Sequence, residues 1–326
     1  MFLARPAGQP AREVISAADM TGAAWLDLLR PTKEEIALAE KLTGLKMPRR
    51  EDLEEIESSS RHYKLGEVIY LSTPLVRRDE EDVTAFPVGL VLSDTLLITV
   101  RYSDYMAFDT MGRDLASRDL DMPNPDSSEL ALMLLEAMVN RLADVLEALG
   151  RSLDQVSRRV FAADTPRRRV RAAEMLRQTL RELGKNGDMA SSVRDSLLGV
   201  DRIGIFLGDN GHYQSNMPLQ LRLKIVGRDV ASLNDFVAQT VNKIQFLLDA
   251  TLGFISIEQN DGMKLLTVVS FVGIAPTLIA GIYGMNFKNI PELGWQNGYY
   301  YSLALMAFSM FVPLVWFWQR GWFGDR

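Results

Sequence analysis

The residues best placed to do chemistry lie on one stretch near the carboxyl end, from Asn260 to Asn286. On a helix of 3.6 residues per turn, seven of them share a face, because they are spaced by three or four positions. They are Asn260, Met263, Leu266, Ser270, Ile274, Thr277 and Gly281. Several copies of such a face around an axis would form a narrow pore, with apolar constrictions that gate by dewetting and polar stations between them. The alternative is ordinary helix packing, since small and hydroxyl residues also join helices in membranes.

The face ends at Gly284-Met285-Asn286, where the chemistry changes. Glycine beside asparagine at a helix end allows a left-handed turn that exposes backbone carbonyls. A ring of Asn286 amide and Gly284 carbonyl oxygens would offer hard, neutral acceptors. Such oxygens suit the water shell of Mg²⁺, which dehydrates reluctantly.

Two uncharged segments of 21 residues position these groups, Leu265 through Met285 and Gly298 through Trp318. A helix of that length is about 31 Å long, which matches the hydrocarbon core of a bilayer. The loop 287–297 between them is short, so the two spans form an antiparallel hairpin with both flanks on one side of the membrane. Lys264 and Arg320 flank the open end, which predicts that both termini are cytoplasmic.

Composition excludes several other classes of protein. The chain has 326 residues, a net charge of −6 and no cysteine. Nucleic acid is therefore disfavoured as a partner, and thiolate metal sites, disulfides and cysteine nucleophiles are excluded. No phosphate loop, nucleophile elbow or zinc-hydrolase helix is present, so we predict that the protein is not an enzyme.

The region before the spans shows two patterns. Residues 1–125 contain strand-like runs around helix signals, with a capping box at Thr32 and Glu35, and predict a cytoplasmic α/β domain. Residues 126–216 read as helical, and the Gly184-Lys185-Asn186-Gly187 sequence predicts a turn between helices 167–183 and 188–208. From residue 217 to 263 apolar residues step by three or four, and no proline occurs from Leu219 until Pro276. We therefore expect one stalk helix of more than sixty residues that continues into the first span (264–286), and its apolar stripe requires partner copies.

These motifs resemble the CorA magnesium/cobalt transporter family, whose wider superfamily includes ZntB-type zinc transporters. The resemblance rests on Tyr283-Gly284-Met285-Asn286-Phe287, on Pro291-Glu292-Leu293 with Trp295, and on the segment 253–260. It implies an α/β cytoplasmic domain, a long stalk helix and two carboxyl-terminal transmembrane helices in a funnel-shaped homopentamer. The expected location is the inner membrane of a bacterium, with the second span at 298–319 and the tail 320–326 in the cytoplasm.

The resemblance also assigns roles. Gly284, Met285 and Asn286 would form the selectivity filter, and the seven residues of the helical face would line the pore. Glu292 would attract cations in the outer loop, and Asp229 is a candidate ligand for regulatory Mg²⁺ between subunits. No cofactor is expected beyond transported and regulatory Mg²⁺, with Co²⁺ and Ni²⁺ as further cargo. The alternatives are a Zn²⁺ transporter of the same superfamily and a membrane-anchored sensor or scaffold.

Overall fold

The computed structural model describes residues 1–55, 61–78, 83–117, 125–161, 169–286 and 290–322. Seven strands form one mixed sheet: β1 (Phe2–Arg5), β2 (Arg12–Glu13), β3 (Trp25–Leu29), β4 (His62–Leu65), β5 (Val68–Arg78), β6 (Val83–Leu92) and β7 (Leu97–Arg101). Their order is β2-β1-β3-β7-β6-β5-β4. The central pair β3 and β7 is parallel, and the other neighbours are antiparallel.

The described residues also form seven α-helices. They are α1 (Lys33–Thr43), α2 (Arg50–Glu54), α3 (Met106–Ala116), α4 (Ser127–Phe161), α5 (Arg169–Asp209), α6 (Met217–Tyr283) and α7 (Gly298–Gln319). The chain divides into two compact units, one of residues 1–164 and 178–248 and one of residues 165–177 and 249–326.

Strand β7 is buried along its whole length because helices cover both faces of the sheet. Successive side chains of a strand point to opposite faces. Ile98 and Val100 pack in a cluster with Ala39 of α1. On the other face the Arg101 guanidinium stacks 4.9 Å from the ring of Phe108 in α3. The predicted α/β domain is confirmed, and its sheet begins at residue 2.

The capping box predicted at the start of α1 is confirmed. The Thr32 hydroxyl accepts a hydrogen bond from the Glu35 amide at 3.2 Å, and the Glu35 carboxylate accepts one from the Thr32 amide at 2.9 Å. The helix ends at Gly44, whose φ of 72° only glycine adopts without strain. Helix α2 ends at Glu54.

The turn predicted at Gly184-Lys185-Asn186-Gly187 is wrong, because α5 passes through it as one helix. A glycine in a helix costs only about 1 kcal/mol. The neighbouring apolar side chains Leu183, Ala190 and Val193 are buried, which offsets that cost. The Asn186 amide also donates to the Ser152 hydroxyl of α4 at 3.2 Å.

The single long helix is confirmed. Helix α6 runs for 67 residues, from Met217 to Tyr283, which corresponds to about 100 Å. Its amino-terminal half is tied to α4 by two ion pairs. Arg222 donates to both Glu136 oxygens at 3.0 and 2.7 Å, and Lys243 lies 2.6 Å from the Asp154 carboxylate. Helices α6 and α7 are both long and apolar enough to cross a membrane.

Candidate ion pathway

The predicted pathway lies on the carboxyl-terminal part of α6. All seven residues of the predicted face are exposed: Asn260, Met263, Leu266, Ser270, Ile274, Thr277 and Gly281. Exposure reaches 64% for Met263, 67% for Leu266 and 63% for Ile274. Apolar side chains this open on one chain indicate a surface that meets lipid or another copy of the protein.

The opposite side of the same helix is more covered. Val268 is buried, and Val272, Ala275 and Ile279 are half-buried. At 100° per residue, this set lies about 160° from the predicted face. The Phe271 ring of α6 and the Phe317 ring of α7 meet edge-on with centroids 6.1 Å apart, so the two helices are neighbours in this region. The predicted face therefore points away from the covered side of its own helix.

A groove on the exposed side holds four of the predicted residues, Ser270, Ile274, Thr277 and Gly281. Sequence reasoning missed its other lining residues, which are Val269, Gly273, Leu278, Ile282 and Met285. These residues could have been inferred from the sequence, because they lie next to the seven-residue face on the helix and a groove is wider than one line of residues. Met285 had been assigned to the filter only.

The Thr277 hydroxyl has a defined direction. It donates its proton to the Gly273 carbonyl at 2.8 Å, so its oxygen has only lone pairs left to offer. An oxygen of this kind accepts hydrogen bonds from water bound to a cation. The geometry thus fits Thr277 as an acceptor on the groove surface.

The end of α6 does not adopt the left-handed turn that its residues allow. The Gly284 amide continues the helix by donating to the Ala280 carbonyl at 2.9 Å, and the Met285 amide donates to Ile282 at 3.2 Å. Gly284 does not have a positive φ. Glycine is favoured there because a Cβ atom would lie 2.9 Å from the Ala280 oxygen. The helix therefore tightens at its last turn, and Asn286 follows it as an exposed residue.

The connecting loop folds against the start of α7. Pro291–Gly294 form a 3-10 turn that contains the half-buried Glu292. A Cβ atom on Gly298 would lie 2.5 Å from the Glu292 carbonyl oxygen, so Gly298 permits the close approach that positions this acid. Sequence reasoning did not single out Gly298. Residues 287–289 lie outside the described part of the chain.

Asp229, the candidate regulatory ligand, is exposed on the amino-terminal half of α6. Among the described residues, no group of three or more histidine, aspartate or glutamate side chains is close enough to hold a metal ion. Its role in a metal site stays a prediction, because a ligand set shared between subunits needs more than one chain.

Comparison with known proteins decides the family. The model of the family described as "CorA-like Mg2+ transporter protein" matches residues 21–320. This chain belongs to that family. It is 33% identical over 306 residues to the "Magnesium transport protein CorA" of Pasteurella multocida, and the match covers 94% of this chain and 93% of the relative.

Solved structures show the same fold. The complete structure of the CorA magnesium transporter from Methanocaldococcus jannaschii matches with a TM-score of 0.76 at 20% identity, covering 99% of this chain and 98% of that one. The cytoplasmic domain of ZntB from Vibrio parahaemolyticus matches with a TM-score of 0.55 at 12% identity, over 78% of this chain and 97% of that domain. The family is one of transporters, not of enzymes, and the two apolar helices fit insertion into a membrane.

Proposed function

We propose that this chain takes up Mg²⁺ across the cytoplasmic membrane as a homopentamer whose pore is lined by α6. The observation that carries the proposal is the exposure of all seven residues on the predicted face, opposite the covered side of the helix. A face with three widely exposed apolar residues and aligned polar groups suits a pore shared by several copies. A membrane anchor would need neither the alignment nor the Gly-Met-Asn end.

The filter of the proposed pore is the ring of Gly284, Met285 and Asn286 at the outer end of α6. Mg²⁺ holds its octahedral water shell tightly, so neutral oxygens that accept hydrogen bonds from that shell select it without removing the water. Asn286 follows directly after the last turn and is exposed. Its amide oxygen is thus free to face the axis in the assembly.

The membrane potential drives the ion inward. Moving one elementary charge across 100 mV is worth about 2.3 kcal/mol, so a divalent cation gains about 4.6 kcal/mol. This is enough for passive uptake against a concentration ratio of roughly a thousand. Glu292 in the outer loop adds to the local cation concentration, and both termini lie in the cytoplasm.

Intracellular Mg²⁺ closes the pore in this proposal. Cytoplasmic Mg²⁺ binds carboxylates between neighbouring subunits, with Asp229 as one ligand on the stalk part of α6. Loss of that Mg²⁺ leaves like charges facing one another, which separates the stalks. Because α6 is one continuous helix, such a movement reaches the apolar residues Met263 and Leu266 directly. Co²⁺ and Ni²⁺, which are hydrated divalent ions of similar size, are expected to pass the same filter.

The proposal is tested by Asn286→Ala. Removing the amide deletes the acceptor ring, so selective Mg²⁺ uptake into proteoliposomes should be lost while the oligomer still assembles. The matched control is Asn297→Ala in the same loop, because Asn297 is exposed and its side chain makes no capping bond to α7. Normal Mg²⁺ uptake by Asn286→Ala, with intact cation selectivity, would contradict the filter assignment.

A ZntB-like Zn²⁺ transporter remains the second candidate, since the ZntB cytoplasmic domain has the same fold. The resemblance to that domain concerns the fold alone. Cation choice is therefore tested by flux, where Zn²⁺ entry that depends on a proton gradient would favour this second candidate.

A further inference from the structure

A cavity of about 400 Å³ lies in the α/β domain. The residues that line it are distant in sequence from those of the proposed pore. Its walls come from the end of β5, the turn before α3, and α4. Three arginines line it, namely Arg77, Arg113 and Arg141, together with the carboxylates Asp104 and Asp109. Such a concentration of guanidinium groups is notable in a chain of net charge −6.

The two carboxylates are engaged by cations of their own. Asp104 forms an ion pair with Arg30, and the Asp109 carboxylate lies 3.7 Å from Nη2 of the buried Arg101. They therefore neutralise little of the charge contributed by Arg113 and Arg141.

Two of the lining arginines are held mainly by weak or neutral acceptors. Arg113 donates to the Thr110 hydroxyl at 3.1 Å and to the Asp109 backbone carbonyl at 3.4 Å. Arg141 lies 3.9 Å from the Asp144 carboxylate, which is 67% exposed. An exposed ion pair at that distance contributes little. Both guanidiniums thus retain capacity for a stronger anionic partner.

The turn before α3 supplies a firm wall. The buried Tyr105 hydroxyl lies 3.2 Å from the Leu75 carbonyl and 3.0 Å from the Phe86 carbonyl, which ties the turn to β5 and β6. Met106 and Ala107, the first residues of α3, line the cavity. The partial positive charge at this helix start adds to the charge of the arginines.

We propose that this cavity binds a small phosphate-bearing anion through Arg113 and Arg141, with Arg77 contributing to the positive wall. Guanidinium groups match phosphate oxygens in paired, charge-assisted hydrogen bonds. The volume lies within the range of small-ligand sites. A ligand with several negative charges matches the two guanidiniums of Arg113 and Arg141 better than a single carboxylate does. The proposal is independent of the transport function.

The experiment titrates inorganic pyrophosphate into the full-length protein in detergent, in Mg²⁺-free buffer, by calorimetry. We expect saturable binding that weakens at least about tenfold in Arg113→Gln/Arg141→Gln, because charge-assisted hydrogen bonds are lost. Arg113→Lys should bind pyrophosphate with an affinity between those of the parent and the double variant. Lysine keeps the positive charge but lacks the planar guanidinium that donates paired hydrogen bonds. The control is Arg151→Gln, which removes an exposed arginine of α4, the helix that also carries Arg141. Arg151 pairs with Glu147, and the control variant should bind pyrophosphate as the parent does.

Three results would overturn the proposal. The first is no binding of pyrophosphate to the parent protein. The second is equal weakening in the double variant and in Arg151→Gln, which would indicate screening of surface charge only. The third is unchanged pyrophosphate binding in the double variant, which would place the anion outside this cavity. Circular dichroism of each variant establishes that it is folded. In the parent protein, inorganic phosphate is expected to compete with pyrophosphate for the cavity.

Discussion

At the scale of single residues, Asp27 has the most demanding environment in the α/β domain. Its side chain is fully buried in the sheet, and Arg101 donates to both of its oxygens at 3.0 and 2.9 Å. Arg5 adds hydrogen bonds at 3.3 and 3.0 Å, and the Thr99 hydroxyl adds one at 2.9 Å. One carboxylate therefore satisfies two guanidiniums and links β1, β3 and β7.

Asp27→Asn should destabilise the domain by about 3–5 kcal/mol, because it leaves the buried Arg101 without its counter-charge. The measurement is chemical unfolding of the domain, followed by tryptophan fluorescence from the buried Trp25. The control is Arg50→Gln, which breaks an exposed pair with Glu54 and should change stability by less than about 0.5 kcal/mol. Equal effects of the two substitutions would show that burial of the pair has no energetic role.

The same carboxylate gives a dependence on pH. Burial alone would raise the pKa of Asp27, but hydrogen bonds from Arg101 and its charge outweigh burial and hold the pKa below its usual range. A lowered pKa stabilises the fold above the unfolded value of about 3.9, and this contribution disappears as the pH falls through the folded value. The stability difference between the parent and Asp27→Asn should therefore be constant from about pH 5 to about pH 8, where Asp27 is ionised in both the folded and the unfolded state, and shrink in more acidic solution. A difference that grows on acidification would contradict this assignment.

At the scale of elements, α5 is continuous through Gly184, and this continuity can be tested. Gly184 lies in the helix interior, and a Cβ atom there would meet open space. Gly184→Ala should raise stability by about 0.5–1 kcal/mol, because alanine loses less backbone entropy in a helix. Gly44→Ala is the opposite control, since its φ of 72° makes a side chain costly by about 1–2 kcal/mol. If Gly184→Ala destabilised the protein, the helix would have to break at that position.

The elements also show what sequence can and cannot reveal. The capping box at Thr32 and Glu35 and the unbroken stepping from residue 217 onward are local patterns, so they predicted α1 and α6. The short strands β1 and β2 have too few residues for a periodic pattern. The pairing of Asp27 with Arg101 joins residues 74 positions apart, and nothing local to either residue indicates it. At Gly184, tertiary packing overrode a correct but weak local preference for a turn.

The candidate ion pathway also has features that the sequence indicates and features that it does not. The seven-residue face was inferred from a helical period, which is visible in the sequence of one chain. The wider groove, and Gly298 as the residue that lets the loop approach Glu292, depend on contacts that form only in three dimensions. The proposed filter and the proposed Asp229 site would require several copies of the chain, which the sequence of one copy does not display.

At the scale of the whole molecule, the proposed pore requires that the exposed faces of several α6 helices meet. The chain contains no cysteine, so single cysteines can report this without a background. Met263→Cys should give cross-linked dimers with a short bifunctional thiol reagent in membranes, and no larger product, because each subunit then carries one thiol. Ala275→Cys is the matched control, because Ala275 is half-buried on the other side of the helix. Equal cross-linking of the two variants, or only monomers from both, would contradict a pore built on this face.

The central claim is tested most directly by ion flux into liposomes that contain only the purified protein. Internal dyes report Mg²⁺, Co²⁺, Ni²⁺ and Zn²⁺, with and without an imposed potential and a pH gradient. The account predicts Mg²⁺ entry that follows the membrane potential and declines as internal Mg²⁺ rises. Zn²⁺ entry that requires the proton gradient, or no flux of any ion through assembled oligomers, would contradict it.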